Sequence, residues 1–252
     1  MTVLTEILLS EPANLRDLGG IAVDGGNIVS GFAIRADDLT TIPEHTASHL
    51  AASGLKSVID LRSNREVEVT GRGALMAHGV AYHHIPFMAD LPKSKELKFE
   101  PGKMPDMSEF YPALFESAAP QIAMSLAIMA YSTGTVAFHC SAGRDRTGVL
   151  AAALLLALGA DDETIIADYE ATHPNTTAIM ERTRPNLGHV FREYGLAANT
   201  AAQLAITDPG ADDAMRKTLV TLRARYGDPL APIRAAGLTS SLVSQLRERA
   251  GV

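Results

Sequence analysis

The stretch FHCSAGRDRTGVLAAALLLALG, residues 138–159, contains the only cysteine of the 252-residue chain and indicates how the chain folds around it. The run GTVAFHC is apolar and typical of a buried strand that ends at Cys140. The alanine- and leucine-rich run from Thr147 to Gly159 is typical of a helix packed on both sides. The loop between them is therefore expected at the carboxyl edge of a sheet, where open α/β folds bind their ligands.

Strand and helix signals alternate on the N-terminal side of this stretch. Runs rich in Ile, Val and Phe predict strands at 26–39, 55–63 and 79–87. Helical patterns lie between and after them, at 43–52 and 108–131, and Pro112 and Pro120 could interrupt the second helix. This alternation predicts an α/β fold with a mostly parallel sheet flanked by helices. Beyond residue 160 the patterns are helical only. We expect one domain over 1–252, with an α/β core at 1–160 and a helical region at 161–252.

Composition and charge limit the classes of function. With 22 basic and 29 acidic residues the net charge is −7, which argues against a nucleic-acid-binding surface. A single cysteine excludes an internal disulfide and fits a reducing compartment. The N-terminus lacks signal-peptide features, and the longest apolar stretch, about 12 residues at 149–160, is shorter than the roughly 20 that cross a bilayer. We expect a cytoplasmic protein without stable membrane insertion, although secretion without a classical signal would leave no trace in the sequence.

Residues 140–146, called here the cysteine loop, have the composition of a phosphate-binding site. Gly143 permits a tight bend, and the following helix directs its free N–H groups toward the loop. Main-chain N–H groups of the loop can surround a tetrahedral anion. The N–H groups expected to bind substrate are those of Ser141, Ala142, Gly143 and Arg144. Arg146 can hold the same anion with two N–H groups.

The same surroundings favour the thiolate form of Cys140, because a helix N-terminus and an arginine both stabilise negative charge. Thr147 is placed to donate a hydroxyl hydrogen bond to the sulfur. We therefore expect attack of Cys140 on a phosphate monoester, a phosphocysteine intermediate and its hydrolysis by water. No metal or other cofactor is expected, since the loop amides and Arg146 stabilise the charge of the transition state. The alternative is a buried structural cysteine at a helix start.

The segment HCSAGRDRTG resembles the signature of the cysteine-dependent protein tyrosine phosphatases, specifically the bacterial tyrosine/serine phosphatase family, whose version reads H-C-x-x-G-K-D-R-T-G. Further segments fit the same family, namely NLRDLGG at 14–20, RADDL at 35–39, IDLRSNREVE at 59–68 and YGDPLAPIRAAGLTSSLVSQLRERA at 226–250. The resemblance implies a phosphatase core and, as substrates, phosphotyrosine, phosphoserine or phosphothreonine, and phosphoinositides. Arg144 stands where the family usually has lysine, and a planar guanidinium is not equivalent to a point charge.

A leaving alkoxide or phenoxide needs a proton, and two carboxyl groups are candidates for the general acid. Asp145, inside the cysteine loop, is the first candidate, and Asp60, at the end of a strand, is the second. The alternatives are a loop-bracing role for Asp145 and an ion pair of Asp60 with Arg62 or Arg16. The resemblance does not settle which of the two donates the proton.

Other residues are expected to support the loop. The resemblance implies roles near the bound phosphate for Arg16, Asp17 and Arg62, and a supporting role for Asn14, although NLRDLGG also reads as an ordinary turn. His139 points away from Cys140 on the strand, so we expect it to orient the loop by hydrogen bonding.

Residues 89–107 are predicted to form a loop, and the helices at 175–226 resemble a lid over the site. The rival function is a phosphate-binding pseudophosphatase that recognises phosphorylated partners without turnover. The expected partners are a phosphorylated protein or a phosphoinositide, and the sequence indicates no oligomeric state.

Overall fold

The computed structural model describes residues 7–88, 107–193 and 213–252. A five-stranded sheet with the order β1-β4-β7-β5-β6 forms its centre. The strands are β1 (Arg16–Asp17), β2 (Ala22–Val23), β3 (Gly26–Asn27), β4 (Ala33–Ala36), β5 (Leu55–Asp60), β6 (Ala81–His84) and β7 (Thr135–His139). Strands β4, β7, β5 and β6 are parallel, and β1 is antiparallel to β4 at the edge. Strands β2 and β3 form a separate antiparallel pair. The predicted mostly parallel sheet is confirmed.

Helices cover both faces of the sheet. They are α1 (Glu44–Ala52), α2 (Asn64–Thr70), α3 (Met107–Ser117), α4 (Ala119–Tyr131), α5 (Asp145–Leu158), α6 (Asp162–Glu170), α7 (Thr176–Glu193), α8 (Ala214–Tyr226), α9 (Ala231–Ala235) and α10 (Ser240–Ala250). The long helix expected at 108–131 is interrupted near Pro120, one of the two prolines named for it, and forms two helices, α3 and α4, bent by 69° at their junction; Pro112 lies inside α3. No single described helix is long and apolar enough to cross a membrane; α3 and α4 reach that length only as a pair.

The central strand β7 is buried on both faces, which explains its uninterrupted apolar sequence. Its side chains alternate between two cores, because Val136 and Phe138 lie in the larger core and Ala137 lies in the smaller one. The larger core contains apolar side chains of α3–α6, α8 and α10, and the smaller core contains those of α1. Packing on both faces positions β7, and with it the start of the loop that follows.

The helices beyond residue 160 contribute to the larger core. Leu219 and Leu222 of α8 and Leu246 of α10 belong to the same buried cluster as Phe138 of the sheet. In the predicted lid segment, α7 and α8 pack against the rest of the molecule, while 194–212 lies outside the described residues. Positions 89–106 of the predicted loop also lie outside them.

Candidate active site

The cysteine loop lies between the end of β7 and the start of α5, at the carboxyl edge of the sheet. Cys140 is only 1% exposed. Gly143 has φ +67°, and a Cβ there would lie 2.6 Å from the Ala36 carbonyl oxygen and the Asp37 nitrogen. A side chain at this position would therefore push the loop off β4, and only glycine fits both the φ angle and the contact.

The carbonyl groups of the loop are held from outside. Asn14 Nδ2 and Arg35 Nη2 donate to the Gly143 oxygen at 3.1 and 2.9 Å, and the Asp38 amide donates to the Ser141 oxygen at 3.2 Å. Within the part of the chain that the structure describes, the amides of residues 141–143 have no hydrogen-bond acceptor. These amides, together with the N-terminus of α5, are available to an anion. The supporting role expected of Asn14 agrees with this contact.

Arg146 is held in place by Glu66, a residue that sequence reasoning missed. Its Nη1 and Nη2 donate to Glu66 Oε2 and Oε1 at 2.7 and 3.0 Å, and Ser141 Oγ also donates to Oε1. Glu66 caps the start of α2 reciprocally with Ser63. The S-x-x-E spacing of this capping box is the one signal that could have drawn attention to Glu66.

The charge of Glu66 is stabilised by its partners. Burial alone would raise the pKa of Glu66, but the charge of Arg146 and the hydrogen bonds from Arg146 and Ser141 lower it to about 2. Burial alone would lower the pKa of Arg146. The negative charges of Glu66 and Cys140 outweigh burial and raise this pKa. A fixed, charged guanidinium therefore lies within the electrostatic reach of the cysteine.

Asp145 begins α5 and is partly exposed, with a hydrogen bond from the Tyr111 hydroxyl at 2.5 Å. Arg144 is buried, and its Nε donates to Tyr169 Oη at 3.3 Å while its guanidinium lies 5.9 Å from the centre of that ring. The two charged residues that precede Arg146 thus both have aromatic partners.

Asp60 and Arg62 are fully buried and form an ion pair, with Nη2 and Oδ2 2.7 Å apart. Burial alone would raise the pKa of Asp60, but His139 and Arg62 keep it well below its usual range. Nη1 of Arg62 donates to Asp38, Thr40 and Thr70, and Nη2 also donates to the Gly71 carbonyl oxygen. The sequence predicted that Arg62 binds substrate, and the structure places its guanidinium among these groups. For Asp60 the geometry favours the ion-pair alternative over proton donation.

The two charged residues of NLRDLGG point in different directions. Arg16 donates to Asn14 Oδ1 at 2.6 Å and to Asp168 Oδ1 at 3.2 Å. These bonds hold Arg16 beside Asn14, which itself binds the cysteine loop. Burial and the neighbouring Arg35 lower the pKa of Arg16 to about 10. Asp17 is exposed and accepts from the Gly19 and Gly31 amides, away from the cysteine loop. The sequence predicted that Asp17 binds substrate, and in the structure its carboxylate braces a turn.

Two further expectations concern the neighbours of Cys140. Thr147 Oγ1 is buried and has no hydrogen-bond partner among the described residues, so the expected bond to the sulfur is not formed. His139 is fully buried, with Nδ1 3.2 Å from the Cys140 carbonyl oxygen, in a position suited to orienting the loop. Burial lowers the pKa of His139.

Comparison with known proteins agrees with this geometry. The chain is 25% identical to the triple specificity protein phosphatase PtpB of Mycobacterium tuberculosis over 266 residues, which cover 93% of this chain and 95% of that protein. It is 26% identical to a tyrosine-protein phosphatase of Nostoc commune over 225 residues, which cover 86% of this chain and 74% of that protein. A sequence model of the tyrosine phosphatase family matches residues 7–250. With this match over nearly its whole length, and with a cysteine loop whose arginine is held by Glu66, the chain belongs to the tyrosine phosphatase family.

Proposed function

We propose that the chain hydrolyses phosphate monoesters through a phosphocysteine intermediate on Cys140. The observation that carries this proposal is the pairing of Arg146 with Glu66, which fixes a buried guanidinium at the cysteine loop before any substrate arrives. The substrate phosphate occupies the loop amides and the remaining N–H groups of Arg146. Preorganised donors of this kind stabilise the charge that develops in the transition state.

In the first step the Cys140 thiolate attacks phosphorus opposite the leaving oxygen. An S–P bond forms and the P–O bond to the leaving group breaks. Asp145 donates its proton to the departing oxygen, which leaves as an alcohol or a phenol. Its partial exposure and its place in the loop support this role, whereas the fully buried Asp60 is already paired with Arg62.

In the second step water attacks the phosphocysteine. The Asp145 carboxylate takes a proton from the water, the S–P bond breaks, and inorganic phosphate and the Cys140 thiolate are released. All atoms and protons of the cycle are supplied by the substrate, water and these two side chains.

For substrates we propose phosphotyrosine and also phosphoserine, phosphothreonine and phosphoinositides. The named specificity of the mycobacterial relative supports a broad range. Arg144 supports the same range as a second cation next to the anion site, although its guanidinium is bound to Tyr169.

The test is a panel of phosphotyrosine and phosphoserine peptides and phosphoinositides, with the wild type, Cys140→Ser and the exposed control Asp17→Asn. We expect Cys140→Ser to lose at least about 10³-fold in kcat and Asp17→Asn to retain activity on every substrate that the wild type turns over. Rapid quenching of the wild type should trap phosphate on Cys140. Hydrolysis that survives in Cys140→Ser would overturn the proposal, and binding of phosphopeptides without turnover by the wild type would favour the pseudophosphatase.

A further inference from the structure

Two buried tyrosines connect two consecutive residues of the cysteine loop. Tyr111 of α3 donates its hydroxyl hydrogen to Asp145 Oδ1 at 2.5 Å, and its oxygen lies 2.8 Å from Tyr169 Oη of α6. Arg144 Nε donates to Tyr169 Oη at 3.3 Å. The side chains of Arg144 and Asp145 are therefore joined through two phenols from different helices.

The hydrogen-bonding capacity of a phenol sets the direction of this chain, because each tyrosine has a single O–H hydrogen. Tyr111 gives its hydrogen to Asp145 and must accept one from Tyr169, which itself accepts from Arg144. Every hydrogen in the chain thus points toward the Asp145 carboxyl group. Hydrogen bonds aligned in one direction polarise and strengthen one another.

Both phenols keep their protons. Tyr111 is fully buried and Tyr169 is 1% exposed. Burial and the charge of Asp145 raise the pKa of Tyr111 well above its usual value, and burial also raises the pKa of Tyr169. The two side chains therefore remain donors over the whole pH range in which the enzyme would act.

The packing of α5 fits the ring of Tyr169. Gly148 lies inside α5, where glycine is unfavourable, and a Cβ there would lie 3.1 Å from Tyr169 Cδ2. The two tyrosine rings meet edge to face, with centres 5.9 Å apart. The absence of a side chain at Gly148 lets Tyr169 lie directly against the helix that begins with Asp145.

We propose that Tyr111 and Tyr169 are positioning residues that orient the Asp145 carboxyl group for proton transfer. The hydrogen bond from Tyr111 holds Oδ1, so that Oδ2, which has no hydrogen bond to any residue that the structure describes, carries the proton. That proton moves to the leaving oxygen as the P–O bond breaks, and the phenol protons stay in place. The inference rests on the proposed function, in which Asp145 is the general acid.

The test compares Tyr111→Phe with the wild type on an aryl phosphate with an acidic phenol and on an alkyl phosphate, since only the alkyl ester depends strongly on a general acid. We expect kcat for the alkyl ester to fall about 10- to 100-fold with little change in KM, and kcat for the aryl ester to fall less than about 3-fold. In an Asp145→Asn background, Tyr111→Phe should have no further effect on the alkyl ester, because the two residues act as one unit.

Two more variants complete the design. Tyr169→Phe leaves the Tyr111–Asp145 bond intact and removes its support, so the same selective loss should appear at about 3- to 10-fold. Tyr169→Phe also tests the positioning role if Tyr111→Phe fails to fold. Tyr82→Phe is the matched control, because it removes a phenol-to-carboxylate hydrogen bond of 2.7 Å at Asp60. It should leave the ratio of alkyl to aryl rates at the wild-type value.

The outcomes separate this inference from the proposed function. Equal losses on both esters in Tyr111→Phe, or a full further loss in the Asp145→Asn background, would overturn the positioning role. If Asp145→Asn itself left the alkyl-to-aryl ratio unchanged, the assignment of the general acid would fail, and the inference with it. A selective loss in Asp145→Asn without one in either tyrosine variant would overturn the inference alone.

Discussion

At the scale of single residues, the pair of Arg146 and Glu66 governs how the site meets an anion. Arg146 is 8% exposed and its guanidinium is joined to the carboxylate by two hydrogen bonds, so its orientation is set before substrate binds. The ordering of a long side chain, which would otherwise cost entropy on binding, has already taken place in the folded protein.

Glu66→Gln should lower kcat/KM by about 10²-fold, because the amide leaves the buried guanidinium without a counter-charge and frees it to move. The measurement is steady-state kinetics on an aryl phosphate. Glu68→Gln is the matched control, since Glu68 lies in the same helix, has a side chain that is 65% exposed and pairs with Arg65 at the surface. Kinetics of Glu66→Gln equal to those of Glu68→Gln would contradict the role of Glu66.

The same pair should make folding sensitive to acid. The pKa of Glu66 is about 2 in the folded protein against 4.5 for the free side chain, so its contribution to the free energy of unfolding is complete above about pH 4.5 and is lost as the pH falls toward 2. This contribution is on the order of 3 kcal/mol. Urea unfolding at pH values between 5 and about 2.5 should show a smaller decline in Glu66→Gln than in the wild type. An unchanged decline would show that other carboxyl groups carry the acid sensitivity.

At the scale of elements, the buried Arg182 joins α7 to Asp37 and Asp38, the residues that follow β4. Arg182 donates to Asp37 Oδ2 at 2.8 Å and to the Asp38 carbonyl oxygen at 2.6 Å. Asp37 in turn accepts from the Asn14 amide, and the Asn14 side chain donates to the Gly143 carbonyl oxygen. A continuous set of hydrogen bonds thus runs from α7 to the bend of the loop.

Arg182→Met should lower the free energy of unfolding by about 3–5 kcal/mol, since the buried Asp37 carboxylate would lose the positive charge of Arg182. Limited proteolysis should then cut within 176–193 faster than in the wild type. The control is Arg184→Met on the exposed side of the same helix, with an expected change within about 0.5 kcal/mol. An Arg182→Met variant as stable as this control would show that α7 docks by other means.

At the scale of the whole molecule, the C-terminal helix α10 closes the structure over the sheet layer. Arg249 Nη1 and Arg247 Nη1 donate to the carbonyl oxygens of Met129 and Leu158 at 2.5 and 2.6 Å, and the Val29 amide donates to the Ala250 carbonyl oxygen at 3.0 Å. These bonds join α10 to α4, to the end of α5 and to the segment before β4.

We therefore expect the α/β core and the helical region to unfold as one unit. Leu246→Ala, at a fully buried position of α10, should lower the free energy of unfolding by about 2–5 kcal/mol and shift the loss of helix signal and the loss of activity together. Glu248→Ala on the exposed face is the control. Separate transitions for the two probes in Leu246→Ala would contradict a single cooperative domain.

What the sequence predicted, and what it did not, follows from the distance between partners along the chain. The strand, loop and helix around Cys140 were predicted because their apolar patterns are local. Glu66 lies 80 positions from Arg146, and Arg35 lies 108 positions from Gly143, so no local pattern joins them. Pro120 marked an interruption of the helix expected at 108–131, and the break between α3 and α4 lies at Ala118, two positions before it. The apolar pattern continues through the break and could not place it.

Cys140 carries the only thiol in the sequence, and the residue is almost completely buried. A small electrophile shaped like phosphate would therefore label each molecule once at most, with no background from other thiols. The stoichiometry of labelling would count the competent molecules in a preparation, and turnover numbers could be quoted per working centre rather than per mole of protein.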